Sequence, residues 1–247
     1  MTSKSETGHA INVAHFNDLI SFVKGYGSAY NPSNAALAVS ALETQELNAN
    51  NSISAVNGAI APYNTAVAAR EVDFAPLSKL VTRVMNFLKA SGVSQQVYDS
   101  VNTVARKIKG GRASAKITPT PTNGDNDTNT EVKQVSSSQM SYDSREENFA
   151  KFIQLLMAVP LYAPNEVELQ TATLTDLSTN LKDKNDAVIN AEVPLSNTRI
   201  ARNVLLYTAT TGLCDIALTV KNYVKAVFGA TSPQYKQISK LKFTKAK

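Results

Sequence analysis

The sequence predicts an all-α protein built from two tandem, homologous helical-bundle repeats of about four to five helices each. Its apolar residues recur at the spacing of three and four that places side chains on one face of a helix. No segment sustains the period-two alternation of β-branched residues that is typical of strands. The chain also repeats itself, because at an offset of 132 residues 12 of the 43 ungapped positions from Tyr30 to Val72 are identical.

The first predicted helix has the same apolar face in both repeats. Four apolar residues follow the i, i+3, i+4, i+7 pattern in each repeat, namely Phe16, Leu19, Ile20 and Val23, and then Phe149, Phe152, Ile153 and Leu156. Ser144 and Glu147 have the spacing of a capping box and predict where this helix begins in the second repeat. Asn165 and Glu168 repeat that spacing at the predicted start of the next helix.

The second helix is predicted over residues 33–60 and 165–192, and a proline follows it in each repeat. Pro62 and Pro194 suit the first turn of a helix, where the missing N–H group costs little. We therefore predict that a third helix begins at each proline and that the second helix ends just before it.

The remaining helices are delimited by helix breakers and caps. A proline in the first repeat and an inserted "TATTG" in the second separate the third helix from the fourth. Glycines end the fourth helix, and serines cap a short fifth one. These positions are Pro76, Gly92 and Ser94 in the first repeat, and residues 208–212, Gly229 and Ser232 in the second.

Residues 109–144 separate the two repeats and have a different composition. Gly, Pro, Thr, Ser and Asn dominate this stretch, and large apolar residues are rare. Such a segment buries too little surface to offset the entropy of ordering, which predicts a flexible or extended linker. The predicted domains are therefore residues 12–108 and residues 145–247, the second with a basic C-terminal tail.

The positive charge is concentrated at the C-terminal end of the chain. The net charge is +5, yet residues 1–215 carry 18 Lys and Arg against 20 Asp and Glu. Residues 216–247 carry seven lysines and no acidic residue. A local field of this kind attracts a polyanion or an acidic partner surface, although a solvated basic helix face is the simpler interpretation.

Compartment and membrane contact are predicted from what the sequence lacks. The single cysteine, Cys214, has no internal partner for a disulfide. The opening residues have no continuous apolar core of a secretory signal, and the longest apolar runs are shorter than a membrane span. We therefore expect a cytoplasmic protein without membrane contact.

No catalytic, metal or cofactor motif is evident in the sequence. The two histidines, His9 and His15, have no counterparts in the second repeat. There is no cysteine pair, no H-x-x-x-H spacing and no phosphate loop, so we predict no metal, no cofactor and no enzymatic activity.

Two sets of polar residues are candidates for contacts. The first set consists of identical residues at equivalent positions, which either satisfy buried groups or form symmetric binding positions: Arg70 and Arg202, Asn48 and Asn180, Tyr30 and Tyr162, and Tyr98 and Tyr235. The second set lies after the fourth helix of each repeat and is suited to polyanion or partner contact: Arg106, Lys107, Lys109, Lys236, Lys240, Lys242, Lys245 and Lys247.

The C-terminal stretch "TSPQYKQISKLKFT" at residues 231–244 resembles uncharacterised small helical proteins of the Bacteroidota. This resemblance is confined to the C-terminal segment and implies no activity and no functional residue.

Together these features predict a non-enzymatic structural or interaction module that presents helical surfaces to a protein partner or to copies of itself. The alternative is sequence-independent binding of nucleic acid by the lysine-rich ends of the two repeats. A third hypothesis is an enzyme whose site is lined by Arg70, Arg202 and nearby carboxylates.

Overall fold

A computed structural model describes residues 7–111 and 140–245, and within these residues every regular element is a helix. The all-α prediction is thus confirmed. The predicted linker falls mostly on residues 112–139, outside the described residues. The eight α-helices of the described residues are α1 (Thr7–Gly25), α2 (Val39–Phe74), α3 (Leu77–Ala90), α4 (Gln95–Lys109), α5 (Tyr142–Met157), α6 (Thr171–Tyr207), α7 (Leu213–Phe228) and α8 (Pro233–Ser239). Three short 3₁₀ helices cover Gly27–Ala29, Ala35–Leu37 and Val167–Leu169.

Helices α2 and α6 are each continuous through a proline, so the predicted breaks at Pro62 and Pro194 are wrong. A proline in a helix interior removes one hydrogen bond and leaves the carbonyl four residues earlier without its donor. Pro62 and Pro194 are both exposed, as are Gly58 and Asn190, whose carbonyls lose that donor. Water can therefore solvate the freed carbonyls, and the helix continues past each proline.

The predicted caps are correct at the last helix of each half and wrong at the two capping boxes. Ser94 and Ser232 accept a backbone N–H bond in the first turn of α4 and α8, as predicted. The cap of α5 is Ser141, whose hydroxyl accepts from the N–H of Ser144 at 3.1 Å. Helix α6 begins at Thr171, because a 3₁₀ turn occupies the preceding residues.

The described helices form two compact units that differ from the two predicted repeats along the chain. Among the described residues, the first unit contains residues 7–64 and 190–245, and the second contains residues 65–111 and 140–189. Helix α2 begins in the first unit and ends in the second, whereas α6 does the reverse. Each unit therefore combines one half of the first predicted repeat with one half of the second.

The apolar faces that the sequence identified form the cores of these units. In the first unit, the four apolar residues of α1 are buried against α7, which contributes Leu213, Ile216, Ala217, Val220 and Val224. In the second unit, the four apolar residues of α5 are buried in one cluster with α3, which contributes Leu77, Val81, Val84, Met85 and Leu88. The interior therefore contains the predicted helical faces, which supply the main apolar burial of folding.

Both units contain the same buried tyrosine arrangement. Tyr30 donates its hydroxyl hydrogen to the carbonyl of Leu37 at 2.8 Å, and Tyr162 donates to the carbonyl of Leu169 at 2.6 Å. Tyr30 meets Tyr223 edge-on, and Tyr162 meets Phe87 in the same way. Burial raises the pKa of Tyr30 and of Tyr162 to about 12. Each tyrosine pins its 3₁₀ turn against a helix from the other half of the chain.

Candidate functional site: two equivalent grooves

A groove of about 650 Å³ opens on the first unit, where the start of α2 faces the start of α7. Its lining includes the polar residues Asn34, Gln45, Asp215 and Thr219. Apolar contacts come from Ala36, Ala41, Ile216 and Leu218. A concave surface lined by apolar side chains together with a few polar groups is the usual form of a binding site.

The rim of this groove is a strained loop. Thr210 has φ of +68°, which is unusual for a β-branched residue. The loop is held by its neighbours, because Gln45 donates to the carbonyl of Thr211 at 2.9 Å and the N–H of Thr210 donates to Asp215 at 3.0 Å. Gly212 is required here, since a Cβ atom would lie 2.6 Å from the backbone nitrogen of Thr208. The "TATTG" insertion therefore builds a rigid edge of the groove.

Asp215 links this loop to the C-terminal tail. Its carboxylate accepts a hydrogen bond from Lys245 at 2.8 Å as well as that from Thr210. The hydrogen bond from Lys245, followed by the one from the Thr210 N–H, lowers the pKa of Asp215. The carboxylate is therefore ionised at neutral pH and neutralised by the tail.

The second unit has a groove of about 480 Å³ between α3 and the start of α6. Its floor is apolar and consists of Leu80, Leu174 and Leu177, with the exposed Pro76 beside them. Its rim is charged, with Lys79 on one side and an ion pair in which Arg83 donates to Glu168 at 2.5 Å. An apolar floor with a charged rim suits the apolar side chains of a partner better than a small polar solute.

The two grooves occupy equivalent positions in the two halves of the chain. At the offsets of 132 and 136 residues that align those halves, six lining positions correspond: Ala36 with Glu168, Ala41 with Thr173, Gln45 with Leu177, Asp215 with Lys79, Ile216 with Leu80, and Thr219 with Arg83. The aligned sequence positions coincide while the side chains differ, including a reversal of charge between Asp215 and its counterpart Lys79. Neither groove was predicted from the sequence.

The equivalent arginines lie in different units and have different surroundings. The Arg70 guanidinium carbon lies 4.1 Å from the centre of the Tyr142 ring in the second unit, a cation–π contact. Arg202 is 3% exposed in the first unit and donates from Nε and Nη2 to the side-chain oxygen of Asn203. The packing of each arginine is thus explained within its own unit.

The other equivalent pairs also differ in their contacts. Asn180 donates to Asp73 at 3.0 Å, and Asp73 also lies 3.5 Å from the ammonium group of Lys184. Asn48 is exposed on α2. Tyr98 and Tyr235 are half-buried against the cores of the second and first units, respectively. The two grooves are lined by other residues.

The C-terminal tail packs in an extended form against α1. Asn12, which is fully buried, donates to the carbonyl of Thr244 at 2.8 Å and accepts from its N–H at 3.1 Å. His15 donates from Nδ1 to the carbonyl of Lys242 at 2.8 Å, and His9 is hydrogen-bonded to the hydroxyl of Tyr207. Both histidines therefore have structural contacts, and the tail is fixed by its backbone.

The tail and the two helices before it carry five lysines of the first unit, four exposed and one half-buried, and this set is here called the lysine face. It consists of Lys221, Lys225, Lys236, Lys240 and Lys242. The Lys221 ammonium lies 5.2 Å from the Phe243 ring centre, and that of Lys225 lies 5.8 Å from the Tyr235 ring centre. Burial lowers the pKa of Lys221, which also donates to the carbonyl of Leu241. Lys245 is paired with Asp215, and Lys247 lies outside the described residues.

The other basic cluster lies at the C-terminus of α4, in the second unit. Arg106, Lys107 and Lys109 occupy its last turn, where cations interact favourably with the helix dipole. Gly110 adopts φ of +76° and its N–H donates to the carbonyl of Lys107, while the N–H of Gly111 donates to that of Arg106. This glycine cap ends the helix and leaves Lys107 and Lys109 exposed.

Within residues 7–111 and 140–245, no group of three or more His, Cys, Asp or Glu side chains is placed to hold a metal ion. In the same part of the chain, no helix combines the length and hydropathy needed to cross a bilayer. Comparisons with protein-family models, with curated proteins and with solved structures found no match to this chain.

Proposed function

We propose that this protein is a non-enzymatic interaction module built by tandem duplication of a helical bundle, and that it binds a protein partner through its two equivalent grooves. The observation that carries the proposal is the correspondence of six lining positions between the grooves. A groove retained at the same place in both halves, with altered side chains, is consistent with two related binding surfaces of different preference.

Three features support the duplication. The two halves share 12 identities over 43 ungapped positions. They present the same order of α-helices, with one helix, a long helix that contains a proline, and two shorter helices, and a 3₁₀ turn precedes the long helix in each half. They also share the hydrogen bond from Tyr30 to Leu37, which is reproduced by Tyr162 and Leu169. Unrelated halves have no reason to share so specific a local contact.

The second groove indicates the kind of partner. Leu80, Leu174 and Leu177 form an apolar floor, and the side chains of Lys79, Arg83 and Glu168 remain at its rim. Amphipathic helices bind to grooves of this type, with apolar residues at the floor and charged residues at the rim. We therefore expect an amphipathic helical segment of a partner protein in the second groove, within the cytoplasm.

A photo-crosslinking residue in the second groove should capture this partner. The test position is Lys79, which lines the groove, and the matched control is Lys89, an exposed lysine of the same helix outside it. We expect crosslinked product from Lys79 and much less from Lys89. The captured partner is then purified, and Leu177→Glu should weaken its binding by about tenfold or more, because a carboxylate replaces part of the floor.

Equal crosslinking from Lys79 and Lys89, or unchanged binding by Leu177→Glu, would refute the assignment of the groove. Turnover of a substrate by the purified chain, abolished by Leu177→Glu, would show instead that the groove belongs to an enzyme. Leu177 is only partly buried, so circular dichroism can verify that the variant remains folded.

The lysine face supports a second candidate function, which is sequence-independent binding of nucleic acid. Its five lysines lie between residues 216 and 245, where there is no acidic residue, and two of them lie beside aromatic rings that can stack with bases. The nearest carboxylate in sequence, Asp215, is paired with Lys245 and leaves the face positive.

Binding to mixed-sequence single-stranded RNA should weaken steeply with salt if this candidate is correct. The variant Lys225→Gln/Lys236→Gln/Lys240→Gln should reduce the slope of log affinity against log salt by about 0.7 for each lysine–phosphate interaction that it removes. Lys107→Gln/Lys109→Gln measures the contribution of the other basic cluster. Affinity that does not respond to salt or to either variant would eliminate nucleic acid as the ligand.

A further inference from the structure

The groove on the first unit contains a single charge. Of the ten described residues that line it, Asp215 is the only one with an ionisable side chain, and the others are apolar or neutral and polar. The side chain of Asp215 is 23% exposed, so a ligand can reach the carboxylate. An accessible carboxylate in an otherwise neutral groove favours a ligand that carries a positive charge.

Two neutral polar residues of the same lining keep hydrogen-bond acceptors. Gln45 uses an N–H of its amide to bind the carbonyl of Thr211 at 2.9 Å, which leaves its Oε1 as an acceptor. Thr219 donates its hydroxyl hydrogen to the backbone carbonyl of Asp215 at 2.8 Å, so its oxygen can also accept. Ammonium and guanidinium groups have several N–H donors and no acceptor, and they therefore match this set of acceptors.

The chain itself shows how a cation binds to Asp215. The ammonium group of Lys245 lies 2.8 Å from Oδ1, and Oδ2 accepts from the N–H of Thr210 at 3.0 Å. Lys245 is not among the described residues that line the groove, so it contacts the carboxylate from outside. Its side chain is 49% exposed, and ion pairs as exposed as this one contribute little to stability. A ligand can therefore replace Lys245 at little cost.

The tail can stay in place when Lys245 is displaced. The buried side chain of Asn12 holds Thr244 by accepting from its N–H at 3.1 Å and donating to its carbonyl at 2.8 Å. These contacts hold the backbone and do not involve the side chain of Lys245. Rotation of that side chain into solvent thus frees Oδ1 of Asp215 without releasing the tail.

We propose that the groove on the first unit binds a partner segment through an arginine or lysine side chain that replaces Lys245 on Asp215. The aliphatic part of such a side chain can pack on apolar residues of the lining such as Ile216, while its charged end binds the carboxylate. This inference rests on the proposed function, because it names the side chain that one of the two grooves selects. The second groove should not select it, since the counterpart of Asp215 there is Lys79.

Selection of a random peptide library, displayed on phage, against the full chain with Lys245→Gln tests the inference. This variant removes the internal competitor and keeps the carboxylate of Asp215. We expect the selected peptides to share an arginine or lysine. Asp215→Asn in the same background should weaken their binding by about tenfold or more, because a hydrogen bond to a charged group becomes one to a neutral group. The amide still offers an oxygen to the N–H of Thr210.

The selected peptides are then synthesised and measured against two further forms of the full chain. The wild type should bind them about two- to fivefold more weakly than Lys245→Gln does, which is the effect of an exposed ion pair that competes for the same carboxylate. Lys24→Gln is the matched control, because it breaks a similarly exposed ion pair of the first unit, that with Glu43, away from the groove lining. It should bind the peptides as the wild type does.

Replacing the shared basic residue of a peptide by glutamine tests the same contact without altering the protein, and it should also weaken binding by about tenfold or more. The inference would be overturned if no peptide binds above background, if the peptides share no basic residue, or if neither Asp215→Asn nor the peptide change weakens binding. Selection of acidic peptides would mean that the lysine face dominates recognition. Crosslinking from Lys79 reports on the other groove, so its failure and the failure of this peptide test are separate results.

Discussion

Replacing Phe16 by alanine is expected to destabilise the first unit by about 3–5 kcal/mol, the usual cost of deleting a fully buried phenylalanine side chain. Phe16 is 0% exposed and lies in the cluster that also contains Leu213 and Val220 of α7. Hydrogen exchange measured by mass spectrometry should therefore show faster exchange in residues 7–64 and 190–245.

The hydrogen-exchange rates of four helices decide the outcome for this variant, namely α3, α4, α7 and α8. Along the chain, Phe16 belongs with α3 and α4, whereas the compact units place it with α7 and α8. Phe149→Ala, at the equivalent buried position of the second unit, is the matched control and should give the opposite pattern. If exchange becomes faster in α3 and α4 while α7 and α8 stay protected, residues 12–108 fold as one unit. If exchange becomes faster by the same factor in every helix, the two units do not unfold separately.

The variant Tyr30→Phe/Tyr162→Phe is expected to be less stable than the wild type at pH 8 and to lose that disadvantage as the pH rises towards 12. At pH 8 each substitution removes a buried hydrogen bond to a backbone carbonyl, at a cost of about 1 kcal/mol. Above pH 10 the balance changes, because the buried phenols of the wild type resist ionisation.

The sign follows from the pKa of about 12 in the folded chain against the ordinary tyrosine value of 10.0. Because the tyrosine pKa is higher in the folded than in the unfolded chain, the stability that each buried protonated hydroxyl contributes is complete below pH 10. This contribution is lost as the pH rises from 10 to about 12. At about 1.4 kcal/mol per pKa unit, each tyrosine then costs the wild type roughly 2–3 kcal/mol, a cost that phenylalanine does not have. Urea unfolding at several pH values measures the difference, and a difference independent of pH would contradict the burial of both hydroxyls.

The sequence predicted the helices and their buried faces well because these depend on local periodicity. The four apolar residues of α1 are all buried, as are those of α5, and Ser94 and Ser232 cap the helices that they were predicted to cap. The error at Pro62 and Pro194 has a physical cause. Proline is favoured in the first turn of a helix and disfavoured in its interior, and the solvent exposure of the freed carbonyls makes the interior position tolerable here.

Two features could not be predicted from local patterns. One is that each compact unit combines parts of both halves of the chain, and the other is the pair of grooves. Whether α1 packs on α3 or on α7 depends on long-range contacts, and both helices offer the same apolar face because the halves are similar. The grooves left one signal in the sequence. Asp215 and Lys79, or Gln45 and Leu177, differ in charge or polarity at equivalent positions beside well-matched apolar residues.

The passage of α2 and α6 between the units has a consequence for the chain if it is cut. Cleavage anywhere in residues 112–139 yields fragments that each contain parts of both units and the whole of neither. Neither fragment can complete an interior by itself, so the two should remain bound to each other and behave as the intact protein in gel filtration. Proteolytic cleavage at this place would therefore not change the apparent size of the protein. The two fragments, expressed from separate genes, should likewise associate and restore the fold.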